Sequence, residues 1–154
     1  MNIFNKRIKR TIALFLVLAA ILSTHAFALS PEDFEFSPTA SGQINGHTAN
    51  ISISPDGKVN VSFTIIASGE MLDIGVTDIY IYQNDSNGNH STAASIHHTD
   101  PEYSYIMRHN ADKHNSSVSI NATTGYEYHA YVFFKARNSS GTDTRTVHTS
   151  YVVA

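Results

Sequence analysis

Two stretches of this chain alternate so regularly that they exclude a helix. VNVSFTI sets Val59, Val61, Phe63 and Ile65 two residues apart, and YEYHAYVFFKAR repeats the alternation from Tyr126 to Arg137. Successive side chains of an extended strand point to opposite faces, so a period of two sorts one face into a core and leaves the other to water. The pattern recurs in ANISIS, with Ile51 and Ile53 on one face. In VTDIYIYQ it sets Ile79 and Ile81 against Tyr80 and Tyr82, and it is weaker in STAASIHH, SVSINA and TRTVHTSYVVA. Pro55-Asp56-Gly57, NDSNGNH, the polar HNADKHN and NSSG separate these runs and read as turns or loops. Seven strands without a helix predict an all-β domain over residues 47–154, an immunoglobulin-like antiparallel β-sandwich.

The N-terminus has a different grammar. MNIFNKRIKR carries Lys6, Arg7, Lys9 and Arg10 ahead of the apolar run TIALFLVLAAIL and the small-residue site Ala26-Phe27-Ala28. This order is that of a secretory signal peptide, residues 1–28, cleaved after Ala28. The apolar run falls short of the about 20 residues that a membrane-spanning helix needs, so no stable membrane span is expected after cleavage. Residues 29–46, rich in Pro, Gly, Ser and acid, read as a flexible linker. Cleavage would take four of ten basic residues and none of thirteen acidic ones, leaving six against thirteen, a net −7 with histidine neutral. Such a charge argues against nucleic acid as a partner. With no cysteine, an exported domain has neither disulfides nor a thiol nucleophile, and its stability must come from its core.

Two resemblances bear on the class. Ala136-Arg137-Asn138-Ser139-Ser140-Gly141 resembles the A-x-N-x-x-G turn after the penultimate strand of fibronectin type III and related immunoglobulin-like domains. That resemblance implies a corner tyrosine six residues before the alanine. Here Ala130 occupies the position, with Tyr128 and Tyr126 two and four residues further upstream. The segment from Leu72 to Tyr151 is similar to small secreted proteins of Gram-positive bacteria grouped in domain-of-unknown-function families. Those relatives commonly keep a tryptophan after the Asn-Gly turn, and this chain has none. The similarity implies an extracellular setting and no particular activity.

The densest chemistry lies in IHHTDPEYSYIMRH, where His98, Asp100 and His109 are the candidate metal ligands and His114 could complete the set. Metal binding requires donors converging within about 2.0–2.2 Å of one ion. His97 and His98 are strand neighbours that point to opposite faces, and no H-E-x-x-H or G-x-S-x-G motif is present. The expectation is therefore no cofactor and no catalytic residue. A metal-dependent or hydrolytic enzyme using His98, Asp100 and His109 is the alternative, and a structural component of an envelope or matrix is a third.

A stronger candidate is aromatic. On the strand ending at Arg137, Tyr131 and Phe133 share a face with Glu127, His129, Lys135 and Arg137, so that face meets water. If Ile79 and Ile81 point inward on a neighbouring strand, Tyr80 and Tyr82 point out beside them. Tyr80, Tyr82, Tyr131 and Phe133 would then form an exposed patch suited to a protein or a glycan. The competing reading is cross-strand packing that only stabilises the sheet. On the first reading the chain is a secreted, non-catalytic interaction module whose partner is an unknown protein or glycan at the cell exterior.

Overall fold

The computed structural model describes residues 42–154; the expected signal peptide, residues 1–28, and residues 29–41 of the expected linker lie outside the described residues. The strands are β1 (Ile44–Ile53), β2 (Lys58–Asn84), β3 (His90–His97), β4 (Met107–Asn121), β5 (Glu127–Asn138), β6 (Gly141–His148) and β7 (Val152–Val153). A 3₁₀ turn, Pro101–Ile106, precedes β4. All the pairings are antiparallel, and the seven strands form one sheet.

β2 organises the sheet. In its first half Val61 pairs with Ile51 of β1 on one side and with Val118 of β4 on the other. In its second half Ile79 pairs with Ile96 of β3 on one side and with Val132 of β5 on the other. The sheet continues from β5 to β6 and to the short β7. It also curls, because β1 reaches back toward β5 and β6. His47 packs edge-on against Phe134 with ring centroids 5.4 Å apart, and the Ile44 amide donates to Asp143 Oδ2 at 3.1 Å.

The expected alternation decides what fills the curl. Val59, Val61, Phe63 and Ile65 are buried together with Ile79, Ile81, Ile96, Val118, Ala130, Val132 and Phe134. Fully burying a side chain of this size stabilises by about 1.5–3 kcal/mol relative to leaving it exposed. Tyr128 is also buried, and its hydroxyl accepts a hydrogen bond from the Thr123 amide at 2.8 Å.

Several boundaries differ from the sequence reading. The expected strands 59–65 and 76–83 are one 27-residue strand. The pairing of β2 with β4 shifts register between Ile66 and Met71, so the polar segment between the two alternating runs bulges without ending the strand. HNADKHN is part of β4 rather than a loop: Ala111 pairs with Met71 and His114 with Ile65, while the residues between them face water. β1 begins at Ile44, ahead of the expected start at His47. Gln43 is buried there, and its side chain donates from Nε2 to Asn138 Oδ1 at 2.9 Å. The last expected strand divides into β6 and β7 at Thr149. The Thr149 amide donates to the Ala130 carbonyl at 2.9 Å, while its hydroxyl accepts from the Ala130 amide at 2.9 Å.

Candidate binding face

The register between β2 and β5 sets Tyr80 opposite Tyr131 and Tyr82 opposite His129. Because Ile79, Ile81, Ala130 and Val132 turn inward, these rings emerge together on the outer face, where Phe133 joins them. All four expected aromatic residues, Tyr80, Tyr82, Tyr131 and Phe133, are half-buried and line one open concavity of about 650 Å³. Asn84, His90, His129 and Tyr151 complete its wall.

The rings support one another. Tyr80 and Phe133 meet edge to face at 5.7 Å, and Tyr82 meets Tyr131 edge to face at 5.9 Å. Tyr82 stacks on His90 at 5.0 Å and on His129 at 5.4 Å, and Tyr131 stacks on His148 at 4.5 Å. Offset stacks and edge-to-face pairs are the favoured arrangements of aromatic quadrupoles, each worth about 0.5–1.5 kcal/mol beyond its buried area. Cross-strand packing is therefore real here, yet it leaves a concave surface rather than a sealed layer.

His129 sits at the centre of this array. It is 5 % exposed, and its Nδ1 is buried without a hydrogen-bond partner. Burial depresses its pKa, and the neighbouring His148 and His90 push in the same direction while Glu127 opposes them. The imidazole is consequently neutral at pH 7, with an unused polar atom whose burial is unfavourable. One end of the concavity is held by Asn84, which accepts from His90 Nδ1 at 2.7 Å and donates to Glu127 Oε2 at 3.3 Å. Beyond the other end, His97 Nδ1 lies 2.6 Å from Asp78 Oδ1, and the His97 ring packs on Tyr80 at 5.8 Å.

The candidate metal ligands have separate engagements. His98 Nδ1 donates to the Thr77 carbonyl at 3.1 Å, and Asp100 begins the 3₁₀ turn, its carbonyl accepting from Tyr103 at 2.9 Å. His109 Nδ1 donates to Asp73 Oδ1 at 2.7 Å, and His114 Nε2 donates to the Tyr105 carbonyl at 2.9 Å. No group of three or more such side chains among the described residues could hold an ion, so His98, Asp100 and His109 are not brought together. Asp73 instead joins β4 to β5, receiving Arg137 Nε at 2.6 Å as well as His109.

Sequence reasoning missed His90, His148 and Tyr151 as members of the array. Alternation already put His129 on the face of Tyr131. The placement of Tyr151 over His129, at 4.6 Å, depends on the break that Thr149 makes between β6 and β7.

Fold and face together define an antiparallel all-β domain with an aromatic, histidine-rich concavity. No protein-family model and no curated protein matches the sequence. Among solved structures, the chain is similar to a candidate late embryogenesis abundant (LEA) protein, with a TM-score of 0.40 and 12% identity, covering 97% of this chain and 86% of that one. It is also similar to a candidate ApaA protein from Bordetella pertussis, with a TM-score of 0.36 and 9% identity, covering 71% of this chain and 89% of that one. Neither likeness is close enough to define a fold family or a function.

Proposed function

We propose that the chain is an exported, non-catalytic interaction module of the immunoglobulin-like β-sandwich type that binds a protein or glycan outside the cell. The observation that carries this reading is the concavity lined by Tyr80, Tyr82, Tyr131 and Phe133, around a buried histidine whose Nδ1 has no partner. Half-exposed aromatic rings desolvate readily, and a concave surface in which aromatic rings surround convergent polar groups suits ligand binding. Export is supported by the basic start, the short apolar run and Ala26-Phe27-Ala28. The sandwich type is supported by the way β1 curls toward β5 and β6. It is supported too by Tyr128, whose hydroxyl ties back to the Thr123 amide as a corner tyrosine does.

The test is the double change Tyr131→Ala and Phe133→Ala in the full chain, followed by retention on isolated cell envelopes and by a thermal melt. The expected result is a folded β protein whose retention weakens by about 2 kcal/mol or more. Full retention by a folded variant would refute the assignment of binding to this face.

A further inference from the structure

His90 and His129 line the concavity, and a third imidazole, His148, packs on His129 outside that lining. The His129 ring lies 5.6 Å from His90 and 5.1 Å from His148. The polar and titratable groups around it come from every neighbouring element: Asn84 and Tyr82 on β2, His90 on β3, Glu127 and Tyr131 on β5, His148 on β6, and Tyr151 beyond it. Glu127 already receives Asn84, and Asp78 at the far side is held by His97. No carboxylate is among the described residues lining the concavity. Rings so close oppose one another's protonation unless a negative charge arrives with the ligand. The unpartnered Nδ1 of His129 needs a hydrogen-bonding group that the described residues do not provide. Around this polar centre Tyr82 and Tyr131 supply aromatic surface, and a volume of about 650 Å³ suits a sugar unit or two better than a protein surface.

Resting on the binding reading above, we infer that the ligand is an acidic sugar, a uronate unit. Its ring packs against Tyr82 and Tyr131, and its carboxylate turns toward His90 and His129, the two imidazoles that line the concavity. Burial and the neighbouring rings hold the His129 pKa below the ordinary imidazole range; a carboxylate seated against this ring favours its charged form, so binding tightens on mild acidification.

The experiment is calorimetric titration of the full chain with an oligoglucuronate and with a neutral glucose oligomer of equal length, at pH 7.5 and at pH 5.5. The expected result is that the glucuronate binds roughly tenfold or more tightly at the lower pH, whereas the neutral oligomer shows no such gain. The gain should disappear in His129→Phe, which keeps a ring in the array. It should shrink in His90→Phe, an exposed position that tests the idea even if the buried change unfolds the protein. Equal binding of the neutral oligomer, or an acid gain that survives both histidine changes, overturns the inference. No binding of either sugar, with envelope retention still lost on Tyr131→Ala and Phe133→Ala, overturns the uronate while leaving the binding face intact. No binding of either sugar, with retention unaffected by that double change in a folded protein, removes both.

Discussion

Replacing Gly75 by alanine should be among the most damaging single-methyl additions in this fold. Gly75 lies in β2 where the strand is paired on both sides, with Met107 of β4 and Lys135 of β5. A Cβ there would stand 2.3 Å from the Ile106 carbonyl oxygen and 2.8 Å from Met107 Cα. Comfortable non-bonded separations are about 3.5 Å, so the 3₁₀ turn and the start of β4 would have to retreat by about 1 Å. The obstacle is backbone, and Ile74, Val76 and Ile106 around it are fully buried. Overpacking of this kind costs about 1–3 kcal/mol, and disturbing a neighbouring ladder hydrogen bond adds about 1 kcal/mol. The sum, about 3 kcal/mol, corresponds to a fall in Tm of about 10 °C or more for a domain of this size. A thermal melt followed by circular dichroism measures it, with Gly69→Ala as control. Gly69 has open space where a Cβ would go, and a substitution there is expected to stay within about 0.5 kcal/mol of the parent. If Gly75→Ala melts no lower than Gly69→Ala, the close approach of β2 to the Ile106–Met107 backbone is wrong.

Asp73→Asn should cost about 1 kcal/mol, since Asp73 joins Arg137 and His109 across three strands but its partners are solvent-exposed. The Arg137 guanidinium, then the His109 bond, hold its carboxyl below the usual range despite partial burial. A depressed carboxyl pKa contributes stability above the unfolded value, near 3.9, and loses it as pH falls toward the folded value. Urea midpoints at pH 7 and pH 3 should therefore differ less for Asp73→Asn than for the parent, and an unchanged difference would contradict this role. Tyr128→Phe removes the acceptor of the Thr123 amide and should lower stability by about 1 kcal/mol in chemical denaturation, with no loss of β content. N-terminal sequencing of protein recovered outside the cell should return Leu29; material beginning at Met1 would contradict cleavage after Ala28.

What the sequence disclosed was whatever a period of two can encode. Alternation sorted Ile79 and Ile81 from Tyr80 and Tyr82, and Ala130 and Val132 from Tyr131 and Phe133, because facing is a local property of an extended chain. The pairing of Tyr80 with Tyr131 needed only the further step that these two strands be neighbours. Continuity was harder to read. Nothing local distinguishes a segment like ASGEMLDIG that bulges within β2 from one that turns, since the decision rests with β4, which pairs on both sides of the register shift. HNADKHN misled for a related reason: a strand hydrogen-bonded only to β2 and wet on one face tolerates polar residues that would elsewhere mark a loop. The histidines divide along the same line. His129 followed from alternation, whereas its contact with His90 depends on the turn between β2 and β3, and its contact with Tyr151 depends on Thr149 folding back onto Ala130. The aromatic half of the concavity was thus written into two strands, while its polar centre arose from two separate chain reversals. That is why an array of this kind is visible in a sequence as a stripe of tyrosines before it is visible as a site.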